Sequence, residues 1–259
     1  MRLYKMYIGI LVSRMLQYKY SLFLGIVGQL LFSISGFLGV FFLMERFRTI
    51  RGYTLNEVIL CYSITLLAYS LSECFFRGFD QFNSLLQSGD FDRFLLRPRS
   101  LIIQVLGAKF ELSRIGRVLQ AVVLIIYVLT TRSTVTLSGA HLLLLVFMVI
   151  SGVFIFSCLF VIQASLTFYT IENIELFNIL TDGIREFGRY PVAIYGKSIL
   201  AFTTFVIPFA LFQYYPFLLL TGRSDNWLLA LCPFLSLLFL LPTYWLWQRG
   251  VRSYSSTGS

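Results

Sequence analysis

Long uncharged runs separated by short polar ones set the pattern of this chain. Residues 21–44 hold twenty-four positions without Asp, Glu, Lys or Arg, enough to cross about 30 Å of hydrocarbon with some tilt. Residues 57–76 predict a second crossing that carries Glu73 near its far end, with Arg77 four residues later. A third helix is predicted from about residue 101, continuous through 129. It has Lys109, Glu111, Arg114 and Arg117 in its early turns and no charge from 118 to 129. Residues 141–169 and 227–247 complete the clear runs, the last ending in Tyr244, Trp245 and Trp247 ahead of Arg249 and Arg252, as at a membrane interface. Ahead of them all, residues 1–20 place Leu3, Met6, Tyr7, Ile10 and Leu11 at helical spacing, with Arg2, Lys5, Arg14 and Lys19 between. That alternation predicts a helix lying in the interface.

One further crossing has two candidates. Residues 171–190 include Glu172, Glu175, Asp182, Arg185, Glu186 and Arg189, and hydropathy alone assigns them to a loop; residues 198–220 are apolar but interrupted by Pro208 and Pro216. Either choice gives six crossings with both termini on one side. With 198–220 as the fifth span, 16 basic residues fall on the terminal side and 5 opposite; with 171–187 the split is 13 to 8. Both predict cytoplasmic termini and a multi-pass protein of the cell membrane.

Composition agrees: 58% of residues are apolar, 13% are charged, and mean hydropathy is +0.80. The fold class expected is an all-α polytopic membrane protein, one transmembrane domain over residues 1–259. A net charge of +9 raises the question of nucleic acid, but the basic residues flank apolar segments instead of forming one phosphate-tracking stripe, so no nucleic-acid partner is expected. Cys61, Cys74, Cys158 and Cys232 are far apart in apolar runs with no CxxC pair, which reads as small buried hydrophobes and predicts no metal site. The N-terminus lacks the pattern of a cleaved signal peptide. The lipid bilayer is the first expected partner.

The polar stretch at 79–99 is longer than a connection between spans requires. Phe79, Phe82, Leu85 and Leu86 share a helical face, Gly89 is suited to a left-handed helix end, Asp90 to a new start, and Pro98 to a stop. Two short helices at an angle are predicted, one face apolar and the other bearing Asp80, Asp90, Asp92, Arg93, Arg97 and Arg99. They could lie on lipid headgroups as an anchor or fit a groove on a cytosolic partner; mixed charge favours the partner, since lipid-seeking helices are rich in Lys and Arg and poor in Asp. Glu73 and Arg77 read as an interfacial anchor of the second span, with a transport site as the alternative.

Several ordered stretches carry a family resemblance: "SGDFDRFLLRP" at 88–98, "RYPVAIY" at 189–195, "FVIPFALFQYYPFLLLTG" at 205–222 and "WQRGVRSYSSTGS" at 247–259. Together they resemble the membrane subunits of ATP-binding-cassette (ABC) exporters, more narrowly a bacterial branch of the second exporter type, often encoded in pairs beside an ATPase. The resemblance implies a permease with a coupling helix between its second and third spans that seats in an ABC ATPase subunit. Phe82, Leu86, Asp90, Asp92, Arg93 and Arg97 would then be the ATPase-coupling residues within 79–99. It also implies re-entrant helices on the outer side before the last span, a role that 198–222 fits, which moves the fifth crossing to 171–187. Asn178 and Asp182 would then face a translocation pathway shared with a second permease, a related chain or an identical copy.

The chain has no GxxxxGK[ST] loop, no HExxH and no GxSxG. No cofactor is expected in this chain, ATP and magnesium belonging to the partner ATPase. The alternative is a stand-alone membrane protein, a secondary transporter or lipid-modifying enzyme, with 79–99 as a surface anchor. Drugs, peptides and lipids all remain open as substrates.

Overall fold

The computed structural model describes residues 2–131, 138–169 and 174–254, apart from a few side chains, notably those of 174–180. Regular structure there is helical except for one isolated bridge between Ile50 and Tyr53. In order the helices are α1 (Arg2–Gln17), α2 (Lys19–Phe47), α3 (Leu55–Asp80), α4 (Phe82–Gln87), α5 (Asp90–Leu95), α6 (Leu101–Leu106), α7 (Ile115–Thr131), α8 (Gly139–Thr167), α9 (Ile174–Phe187), α10 (Lys197–Phe205), α11 (Phe209–Leu220), α12 (Cys232–Ser236) and α13 (Leu240–Ser253). Among the described residues five helical segments are long and apolar enough to cross a membrane: Lys19–Phe47, Leu55–Gln87, Leu112–Thr131, Gly139–Thr167 and Trp227–Ser253. The bent pair α10 and α11 is a sixth if taken as one span. The chain is thus an all-α, multi-pass membrane protein, as its hydropathy predicts.

Burial separates the spans. α3 is the central post, packed along its length by α7 and α8, and most of its residues from Glu57 to Cys74 are buried. α2 buries only Ser33, Val40 and Met44 of its 29 residues and presents Phe23, Leu24, Leu31, Phe32 and Phe42 outward. In a protein that must hide its backbone from lipid but not its side chains, an outward apolar face needs no further cover. Three polar contacts hold α2 to α3 and α7: Tyr62 Oη of α3 donates to the Ser33 carbonyl at 3.1 Å, Gln120 Nε2 of α7 donates to the same carbonyl at 3.2 Å, and Ser33 Oγ bonds Gln120 Oε1.

The helix predicted from 101 to 129 is not continuous. α6 stops at Leu106, and the chain resumes through a short 3-10 turn, Leu112–Arg114, into α7. In the break the Glu111 N–H bonds the Cys74 carbonyl of α3 at 3.3 Å, just before α3 kinks at Phe76 (φ −110°, ψ 17°). The last span is also segmented, running 3-10, α12, 3-10, α13 from Trp227. Pro233 and Pro242 supply no N–H to the ladder and account for the interruptions.

Contacts along α3 order the ambiguous region. Tyr69 Oη donates to Asp182 at 3.3 Å, Thr65 Oγ1 to the Gly188 carbonyl at 2.9 Å, and Arg51 Nη1 to the Ala193 carbonyl at 3.5 Å. From Asp182 to Ala193 the chain therefore climbs antiparallel to α3, towards the end where α3 begins. Residues 171–173 lie outside the described part. α10 and α11 meet at Val206–Pro208 with a bend of 114°. At about 1.5 Å per residue neither arm reaches the 30 Å of a hydrocarbon core. A turn beyond a right angle makes the second arm retreat along the first. α11 runs from Phe209, packed 6.1 Å from Phe156, to Phe217, 6.2 Å from Tyr53; Arg223 beyond it clasps Glu57 at 2.7 and 2.9 Å. The hairpin thus returns to the end of the bundle where α3 begins. Glu57 there also accepts from the Thr54 N–H at 2.7 Å and its hydroxyl at 2.9 Å, capping α3.

Candidate functional site

At the opposite end of α3, α4 and α5 form an elbow. Gly89 joins them with φ +72°, a left-handed conformation that a side chain would strain. Asp90 and Asp92 fall in the first turn of α5, where carboxylates favour the positive end of the helix dipole. The apolar face predicted from Phe79, Phe82 and Leu85 is buried together with Phe91. It packs on Trp247 of α13: ring centroids lie 5.1 Å from Phe79 and 5.3 Å from Phe82. α13 approaches closely because residue 250 is glycine; a side-chain carbon there would run into the Phe168 ring and the Ser165 carbonyl. Gln104 Nε2 donates to the Phe94 and Arg99 carbonyls at 3.2 and 3.1 Å, and Lys109 Nζ donates to Gln81 Oε1 and Ser84 Oγ at 2.9 and 2.8 Å. Burial, with Arg77 nearby, holds the Lys109 ammonium below the usual lysine range.

Only part of the expected coupling set faces outward. Phe82 is fully buried and belongs to the packing beneath the elbow, so its expected contact with a partner subunit has no exposed surface here. Leu86 is half-buried. Asp90 accepts from Ser88 Oγ at 3.0 Å and pairs with Arg93 at 3.3 Å, while Asp92 accepts from Tyr254 Oη at 2.9 Å. Arg93 and Arg97 are exposed, and between them stand Leu95 and Leu96, the latter 86% exposed. The two leucines were missed. Their signal was an apolar pair off the buried face, in a segment otherwise charged.

Next to the elbow a cleft of about 410 Å³ opens between α2, α3, α7 and α9. Glu73 lies at its heart, bound by Arg117 Nη1 at 2.8 Å, Arg114 Nη2 at 3.3 Å and Arg77 Nη1 at 3.6 Å. Arg77 also bonds Asp80 and lies 3.6 Å from Glu111. Three carboxylates and three guanidiniums thus share one neutral cluster. The Glu73–Arg77 pairing expected from spacing is present, but its closer partners, Arg114 and Arg117, come from across the bundle. They look unremarkable in sequence, as charges at the start of an apolar helix. The α9 wall adds Thr181, Asp182 and Arg185, with Arg185 3.3 Å from Asp182 and stacked 5.1 Å over the Tyr69 ring. Asp182 therefore lines the cleft, its side chain 55% exposed. Asn178 lies on α9, its side chain outside the described residues. Among the described residues no three of His, Cys, Asp and Glu are placed to hold a metal.

A many-spanned bundle with a charged elbow and an adjoining polar cleft is the frame of a membrane transport component. Residues 30–258 match a family model described as ABC-2 family transporter protein, and the chain belongs to that family. It is a permease subunit of an ABC transporter, of a family that associates with an ABC ATPase subunit and is not itself a catalytic ATPase. Searches of curated proteins and of solved structures return no significant match.

Proposed function

We propose that this permease exports its substrate by taking up, at the elbow, the motion of an ABC ATPase that holds the ATP and magnesium. The elbow and both termini are cytoplasmic in this reading, and the membrane is the cell membrane, as the excess of Lys and Arg on that side supports. The observation that carries it is the elbow's outer surface: Arg93, Leu95, Leu96 and Arg97 stand exposed on a base of fully buried rings. A lipid anchor would put its leucines and basic residues on opposite faces, whereas an apolar knob ringed by charge fits a protein groove.

α9 with the 188–195 segment serves as the fifth crossing in this reading, supported by the contacts of Asp182 with Tyr69, Gly188 with Thr65 and Ala193 with Arg51, which step back along α3 towards and past its start. α10 and α11 are then re-entrant from the outer side. The half-exposed Asp182 and Glu186 on a spanning helix call for protein or water around them, which supports a second permease, related or identical, facing the cleft. Asn178 and Asp182 would border the pathway between the two.

The test is co-purification of an ABC ATPase with the permease in detergent. Arg93→Glu, Leu96→Asp and Arg97→Glu together should abolish capture while the permease stays folded. Retained capture, or labelling of a cysteine at position 96 from outside sealed cells, would overturn the reading.

A further inference from the structure

Helices of six residues do not sustain themselves in water, so α4 and α5 need external support to behave as a rigid lever. The support is a cage of rings from distant parts of the chain. Phe82 and Phe91 have centroids 5.2 Å apart, and Phe168, just beyond α8, lies 5.1 Å from one and 5.4 Å from the other. Trp247 closes the α4 side. Tyr254 closes the α5 side: it follows α13 directly, and its ring stands edge-on to Phe91 at 5.2 Å and packs 5.7 Å from Phe168. Its hydroxyl donates to Asp92 Oδ1 at 2.9 Å, a bond between residues 162 positions apart.

We propose that Tyr254 is a positioning residue for energy coupling, a latch that joins α5 to the end of the last span so that elbow and α13 move as one body. The latch rests on the docking role given to the elbow above. α5 begins the surface that a partner would press, with Arg93 on it and Leu95 at its end, and Tyr254 ties that helix straight to the segment leaving α13. A charge-assisted hydrogen bond gives the tie direction, and an edge-to-face ring pair gives it stiffness. Asp92 thus serves inward, holding the lever in place, while Arg93 and Leu96 serve outward.

The test is a distance distribution between spin labels at Asp90→Cys on α5, outside the docking set, and Arg249→Cys, on a Cys232→Ser background, since the other three cysteines are buried. In nanodiscs without ATPase the distribution should be narrow in the parent protein. It should widen about twofold in Tyr254→Ala as α5 opens locally. Tyr254→Phe and Asp92→Ala keep the buried rings and should widen it less, whereas Asp92→Asn, whose amide oxygen still accepts, should match the parent. In the ATPase complex trapped with MgATP and vanadate, the parent distance should stay constant and the Tyr254→Ala distance should change. A Tyr254→Ala distribution as narrow as the parent's overturns the latch and leaves the docking role standing. A widened distribution with a constant trapped distance overturns the coupling role. ATPase capture indifferent to Arg93, Leu96 and Arg97 would remove the docking role, and the coupling role with it, whatever the label widths.

Discussion

At the elbow, Asp90 and Arg93 pair at 3.3 Å with side chains 46% and 72% exposed; in the cleft, Glu73 and Arg117 pair at 2.8 Å with side chains 5% and 7% exposed. Both pairs join a carboxylate to a guanidinium, yet they do opposite work. An exposed pair contributes about 0 to 1 kcal/mol, because water screens it and two long side chains must be held still. A buried pair adds little net stability over an apolar equivalent, but removing one partner strands the other and costs about 3 to 5 kcal/mol. The Asp90–Arg93 pair is therefore not committed to the fold, whereas the charges of the cleft are committed to holding α3 against α7.

The largest effect should come from Glu73→Ala, which strands Arg117 and Arg114 together. Stability should fall by about 3 to 5 kcal/mol, read from thermal or denaturant unfolding in detergent. Charge reversal at Arg93 and Arg97 should stay within about 0.5 kcal/mol. Equal losses at the two sites would erase the contrast and show the elbow's charges to be structural.

Phe82→Ala should come next, with about 3 kcal/mol lost by emptying a fully buried site among Phe91, Phe168 and Trp247. Leu96→Ala, a few residues along the same elbow, should leave the unfolding midpoint where it is, since that side chain is 86% exposed. A large loss at Leu96 would mean that the outer surface is packed after all.

Asp182 lies between the extremes, half-exposed yet touched by both Tyr69 and Arg185. Asp182→Asn should cost about 1 kcal/mol or less. A loss as great as that of Glu73→Ala would place α9 in the cleft's structural core and remove its reason to face a pathway.

These differences also mark what the chain could and could not reveal in one dimension. The elbow is written in local signals: the spacing of Phe79, Phe82 and Leu85, the glycine at 89 and the proline at 98 each act within one or two turns. Pro208 likewise announces a break, and the bend at Val206–Pro208 is where it falls, whereas Pro216, also expected to interrupt the run, sits inside α11 without ending it. Partners across the bundle leave no such trace. Glu73 meets Arg117 over 44 positions and Asp92 meets Tyr254 over 162, and which arginine or tyrosine is chosen depends on how the helices pack. The break at 107–111 was hidden for the same reason, since its Glu111 N–H is satisfied by the backbone of α3 rather than by a cap in its own segment. Phe82 was misjudged more simply: an aromatic on a charged lever is visible, but which side of the lever it occupies is decided by Trp247 and Phe168.

The smallest effect should be alkaline, and it separates the elbow's inward carboxylate from its outward charges. Burial first, and then the bond to the Asp92 carboxylate, hold the Tyr254 hydroxyl above its ordinary range. An acid whose pKa is raised on folding keeps its proton more firmly in the folded state. The bond's contribution is therefore complete below the ordinary tyrosine value of about 10 and is lost only as pH rises through the higher folded value. Amide exchange over residues 90–96, corrected for its intrinsic pH dependence, should stay level from about pH 7 to about pH 9 and accelerate only beyond the ordinary phenol range. Tyr254→Phe should remove that alkaline step and exchange somewhat faster throughout. A step at neutral pH, or one that survives in Tyr254→Phe, would mean that some other group on the elbow titrates and that the tyrosine hydroxyl does not hold Asp92.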